Sequence, residues 1–162
     1  MNTWQLFFFT ALFSTFAHLF TFIIIRLARI LAIDYGTKRT GLAVTDPLQL
    51  IATGLDTVPT ADLLVYLQKY LAEETVEKIV VGEPFYPDGK PAQMMPKVIE
   101  LQEQLRKLFP EVAVVGQDER FTSEDAKKII LQSGAKKKQR RDKALVDKIS
   151  AVLILQDYLG HR

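Results

Sequence analysis

The amino-acid sequence predicts an α/β domain built on a five-stranded mixed sheet with flanking helices. Short apolar runs of strand length alternate with helical stripes through the second half of the chain. The first three strand candidates instead follow one another through links too short to hold a helix, and 162 residues suffice for one domain with a sizeable core.

Residues 28–35 are almost continuously apolar up to Asp34, the pattern of a strand buried on both faces. Residues 39–46 read as a second strand, joined through residues 36–38 by a hairpin, and residues 49–58 as a third after the Asp46-Pro47 turn. The pattern then changes period. Leu63, Leu67 and Leu71 mark a helix over residues 61–74 with Thr60 as its N-cap, and residues 78–82 form a short buried strand. Residues 84–91 are a loop with Asp88-Gly89 turn chemistry, and Val98, Leu101, Leu105 and Leu108 line one stripe of the next helix. Residues 112–117 are the last strand. Thr122 and Asp125 open a helix to about Gln132 with capping-box-like spacing, and residues 142–159 form the final helix.

The chain has two unlike parts, an apolar extension over residues 1–27 and a domain over residues 28–162. The first 25 residues lack Lys, Arg, Asp and Glu and hold seven of the ten phenylalanines. Residues 6–25 match a membrane span in length. Against a span, no basic residue precedes the run, no small-residue cleavage site follows it, and Arg26 to Arg29 lead directly into a strand. Leu27 fits a misread TTG start codon, so the run is expected to lie outside the functional protein, with a membrane anchor as the alternative.

A net charge of +2 predicts no partner, so any electrostatic footprint rests on how the charges are distributed. The chain has no cysteine, which excludes disulfides, cysteine-ligated zinc and thiol nucleophiles and agrees with a reducing, cytoplasmic setting. With only His18 and His161, a histidine metal site or triad is not expected.

Three acids stand where burial makes a carboxylate costly. Asp34 ends the face shared by Ile30 and Ala32; its bland alternative is a turn aspartate bonding the backbone of residues 36–38. Asp118 and Glu119 close the last strand, where ligand sites of open α/β sheets gather; here the alternative is a solvated loop in which Arg120 pairs with Asp118. Asp147 lies on the final helix with Ser150, Ala151, Ile154 and Tyr158 following on its own face, the alternative being a surface aspartate near the helix start. Acids drawn together from a strand end, a loop and a helix repel unless a cation lies between them. Hard oxygen ligands suit Mg2+ or Mn2+, and two such ions about 3.5 to 4 Å apart can activate a water and stabilise the leaving oxygen of a phosphodiester.

Four stretches occur in order: A-I-D-Y-G-T-K-R-T-G-L-A-V-T-D-P over residues 32–47, V-V-G-E-P over residues 80–84 with Asp88-Gly89 beyond it, D-E-R-F-T-S over residues 118–123, and D-K-I-S-A-V-L-I-L-Q-D-Y-L over residues 147–159. Together they resemble the YqgF family, also called RuvX-like, whose members are known as Holliday junction resolvase-like proteins and pre-16S rRNA nucleases. The resemblance spans essentially residues 28–159. It implies a ribonuclease H-like fold and a metal-dependent nuclease, with cleavage at the 5′ end of pre-16S rRNA as the expected reaction and four-way DNA junctions as the alternative substrate. Asp34, Glu119 and Asp147 stand at the family's metal-binding acids, Asp118 is a neighbouring candidate, and Glu83 matches an acid of related junction resolvases. The apolar N-terminus departs from the family pattern.

Basic side chains flank each acid. Lys38 and Arg39 lie in the first hairpin, Arg120 adjoins Glu119, and Lys136, Lys137, Lys138, Arg140 and Arg141 precede the helix bearing Asp147. This suits a phosphate backbone, as RNA precursor or branched DNA, with binding that weakens in salt. The alternative for the last group is a solvated connection. No small-molecule cofactor is expected. A sugar-kinase-type phosphate loop is the main rival for residues 34–41, but the chain has no room for a second half and no Walker loop. A binding-only protein of the same fold is a further alternative. Monomer and homodimer both stand, since cutting two junction strands in concert favours a symmetric pair.

Overall fold

The structure, a computed structural model, describes residues 27–120, 122–132 and 142–161, with the backbone alone at residues 122–124. The apolar run before Leu27, Lys136 to Lys138, Arg140, Arg141 and the Thr122 cap therefore lie outside what is described. Among the described residues no helix is long and apolar enough to cross a membrane.

Strands β1 (Arg29–Tyr35), β2 (Arg39–Thr45) and β3 (Ala52–Pro59) form an antiparallel meander. A 3-10 turn (Thr60–Asp62) leads into α1 (Leu63–Glu73), followed by β4 (Val76–Glu83), α2 (Met95–Leu108), β5 (Ala113–Asp118), α3 (Thr122–Gln132) and α4 (Lys143–Tyr158). The sheet order is β3-β2-β1-β4-β5, with β4 parallel to β1 and β5 parallel to β4. The predicted five-stranded mixed sheet is therefore the one observed. β1 is its central strand, which explains why it reads as apolar on both faces.

Strand alternation divides the apolar residues between two cores. Leu31, Ile33, Leu42, Ile79, Val81 and Val114 pack toward α1 and α2 with Leu63, Leu67, Val98, Leu101 and Leu105. Ile30, Ala32, Ala43 and Val80 face the other way and pack with Ala151, Ile154 and Leu155 of α4. Small residues at 32, 43 and 151 let that helix lie close to the sheet.

Two local expectations are corrected. β3 begins at Ala52 and not at Gln49, because the Asp46 carboxylate accepts bonds from the backbone N–H groups of Leu48, Leu50 and Ile51 and draws those residues into a closed turn. Gln49 adopts φ 58° there, and its side-chain amide donates to Ala28 O and Glu77 Oε1, both at 2.8 Å. Thr60 is not a helix cap. Its hydroxyl donates to Gly36 O at 2.7 Å and lies 3.0 Å from Thr40 Oγ1, so it ties the β1–β2 turn to the end of β3.

Candidate active site

Parallel pairing brings the C-terminal ends of β1, β4 and β5 to one edge of the sheet, and α4 crosses the face that carries Ala32 and Val80. Asp34 lies on that face, two residues beyond Ala32. Its neighbours across the strands are both glycines: Gly41 pairs with it on β2, and Gly82 of β4 stands one residue past the Ile33–Val81 pair.

Neither glycine has room for a side chain. A Cβ on Gly41 would strike the backbone carbonyl of Asp147, and one on Gly82 would strike Glu119 Oε2 and, at 2.7 Å, Ile154 Cδ1. The space that two missing side chains leave beside Asp34 is thus taken by the helix turn bearing Asp147 on one side and by the Glu119 carboxylate on the other. Gly41 and Gly82 do not stand out as site residues in the sequence. The available signal was a glycine inside an otherwise buried strand, which marks close approach of another group.

The electrostatics agree with this packing. Burial, then the charge of Asp147, pushes the Asp34 carboxyl up to about 7. Ser150 Oγ is buried and completes no hydrogen bond of good geometry, yet it faces Asp34 closely enough to offset part of that rise. Glu119 is pushed up to about 8 by burial, then by Asp34 and least by Asp118. Its backbone N–H donates to Glu83 O at 3.1 Å, which extends the β4–β5 pairing by one residue and fixes where its side chain leaves the sheet. Asp147 is only partly buried, and its Oδ2 accepts from Arg39 Nε at 3.0 Å.

Asp34, Glu119 and Asp147 therefore meet around Asp34, whereas the other two acids turn elsewhere. Partial burial raises Asp118, but bonds from Arg120 Nε at 2.8 Å and Arg120 N at 2.9 Å outweigh it and hold the carboxyl below its usual range. Glu83 shares the face of Val81, opposite Gly82, and accepts from Gln102 Nε2 of α2 at 2.9 Å beneath Gly116. It lies on the reverse side of the sheet from Asp34. Lys38 is exposed in the hairpin, while Arg39 and Arg120 are each paired with an acid.

Among the described residues no three acidic side chains close on a single point as a finished metal cage. The donor set nonetheless fits a divalent cation: carboxylates that repel one another, two of them raised by burial, beside the buried Ser150 hydroxyl that faces Asp34. The side chains that would hold one are those gathered around Asp34, namely Asp34 itself, Glu119 and Asp147.

A sheet of order 3-2-1-4-5 with acids at its strand ends and on the last helix defines a ribonuclease H-like domain. The fold is that of RuvC: the solved structure "T. thermophilus RuvC in complex with Holliday junction substrate" superposes with a TM-score of 0.50 at 19% identity, over 82% of this chain and 96% of that one. The chain belongs to the RuvX family, described as Holliday junction resolvase, whose model matches residues 28–161. Similar relatives include proteins of Phocaeicola vulgatus, 53% identical over 82% of this chain and 96% of the relative, and of Christiangramia forsetii, 52% identical over 82% and 98%. A Porphyromonas gingivalis protein is 50% identical over 83% and 98%. All three bear the name "Putative pre-16S rRNA nuclease".

Proposed function

We propose that this chain is a divalent-metal-dependent nuclease that hydrolyses phosphodiester bonds of RNA, acting in 5′-end processing of pre-16S rRNA. The observation that carries the reading is the close approach of two acids to Asp34, where Gly41 and Gly82 give up their side-chain space to the Asp147 backbone and the Glu119 carboxylate. The relatives' names support the reading of RNA ahead of branched DNA.

Asp34, Glu119 and Asp147 are the catalytic acids and the ligands of Mg2+ or Mn2+ in this reading, and Asp118 stays with Arg120. A divalent ion held there supplies an activated water and stabilisation of the leaving oxygen. Asp34 projects from the central strand, so its carboxylate is fixed by the sheet on both sides. Glu119 enters from the end of β5 over Gly82, and Asp147 from the first turns of α4 over Gly41. Ser150, one helical turn beyond Asp147, presents its hydroxyl to Asp34 and restrains that carboxyl. Lys38 and Arg39, on the hairpin that leaves Asp34, lead the phosphate backbone toward the acids, and Arg120 flanks Glu119. Lys136, Lys137, Lys138, Arg140 and Arg141, which precede α4 in the sequence, are further candidate phosphate contacts.

The test offers the full chain a labelled pre-16S 5′ precursor and a four-way DNA junction, with Mg2+, Mn2+ or chelator, beside Asp34→Asn. Metal-dependent cleavage of the RNA that the variant lacks is the expected result. Cutting of the junction alone transfers the assignment to branched DNA, and salt-sensitive binding without turnover leaves a binding protein.

A further inference from the structure

Arg39 opens β2 on the face of the sheet that α4 covers, since it shares the alternation of Gly41 and Ala43. Its Nε donates to Asp147 Oδ2 at 3.0 Å, with the two side chains 40% and 26% exposed. Gly41 presses on the Asp147 backbone, so the helix turn and the hairpin are held together whether or not the two side chains touch. The ion pair is therefore not needed to bring Asp147 to the site. It holds a positive charge on Asp147 Oδ2, an oxygen of a carboxylate that a cation shared with Asp34 would also need, and like charges repel.

We propose that Arg39 is the resident counter-ion of Asp147, displaced when a divalent cation binds, and that the displaced guanidinium then grips a phosphate oxygen of the bound strand. This rests on the metal-dependent nuclease reading and adds a coupling to it. Guanidinium matches phosphate as well as carboxylate, and Arg39 sits beside exposed Lys38 on the same hairpin, so a strand along that edge can draw it off Asp147. Metal and polynucleotide then bind with positive cooperativity, each tightening the other by the same factor. An arginine that only propped Asp147 in place would have the opposite effect, because its loss would loosen the metal site.

The test titrates Mn2+ into the full chain at fixed pH by calorimetry, with wild type, Arg39→Gln and Arg39→Lys, alone and with a single-stranded oligonucleotide carrying non-hydrolysable linkages. Without the strand, Arg39→Gln is expected to bind Mn2+ about two- to fivefold more tightly than wild type, as suits loss of a half-exposed ion pair, while Arg39→Lys, which keeps a cation, stays near wild type. The oligonucleotide is expected to tighten Mn2+ binding to wild type and to lose that effect in Arg39→Gln. Equal or weaker Mn2+ binding by Arg39→Gln overturns the proposal. Should that variant fail to fold by circular dichroism, the wild-type protein decides alone: no tightening by the strand overturns it. A wild-type chain that binds no Mn2+ removes the nuclease reading as well, whereas Mn2+ binding that requires Asp34 but ignores Arg39 removes this inference only.

Discussion

Burial and neighbouring negative charge hold Asp34 at about 7 and Glu119 at about 8, above the ordinary 3.8 and 4.5. Between those limits the folded chain keeps protons that the unfolded chain has released. The stability these groups contribute is complete below their unfolded values and is lost as the pH rises through the folded ones. Metal-free protein is thus expected to melt at a lower temperature near pH 9 than near pH 6. Asp34→Asn, which cannot ionise, should raise the melting temperature near pH 9, change it little near pH 4, and abolish cleavage; calorimetry and a cleavage assay check both. Metal binding requires the ionised acids, so Mn2+ affinity should climb over the same interval with release of protons. The two glycines beside Asp34 separate stability from activity. Gly41→Ala drives a methyl into the backbone of α4, which cannot yield, and is expected to cost about 1 to 3 kcal/mol in denaturant unfolding. Gly82→Ala meets the tips of two side chains, Glu119 and Ile154, so the structure yields there at the expense of the carboxylate's position. It should lower cleavage far more than stability. The acids were legible in the sequence because each interrupts an apolar pattern. The glycines were harder to read, because what fills the space above them comes from residues distant along the chain.

At the scale of elements, α4 decides whether the third acid is presented. Asp142 accepts a bond from Ala144 N at 3.0 Å and caps the helix, and Thr57 Oγ1 donates to Ala144 O at 2.8 Å, fastening the same turn to β3. Asp142→Ala is expected to destabilise the protein by about 1 kcal/mol, lowering its melting temperature by about 3 °C. Helix periodicity located α4, its inward face and its small residues, since Ser150, Ala151 and Ile154 are all buried as their spacing indicates. Thr60 was misread because a hydroxyl before a helical stripe looks the same whether it bonds to the helix or to a distant carbonyl, and here Gly36 O takes it. The orientation of Glu83 follows from strand alternation: it shares a face with Val81 and not with Gly82, so an acid beside the proposed site in sequence ends up on the far side of the sheet. Arg120 and Asp118 form the loop pair that was the alternative to a ligand role.

For the whole molecule, the two faces of the sheet divide the labour. The side packed by α1 and α2 is an apolar core, and the side covered by α4 combines a smaller core with every acid of the proposed site. The order of elements was legible almost throughout, because strand runs and helical stripes differ in period; sheet order and face emerge only from pairing. The family match begins at Ala28 and the relatives are covered over nearly their full length, so a chain started there is expected to keep the melting temperature and the cleavage rate of the full chain, as side-by-side melts and assays would show. The Arg39–Asp147 contact joins residues 108 positions apart, linking, among the described residues, the earliest hairpin to the last helix. On the proposed reading, synthesis therefore leaves the site incomplete until the final stretch emerges: a nascent chain that already carries Asp34 has no Asp147 to set against it.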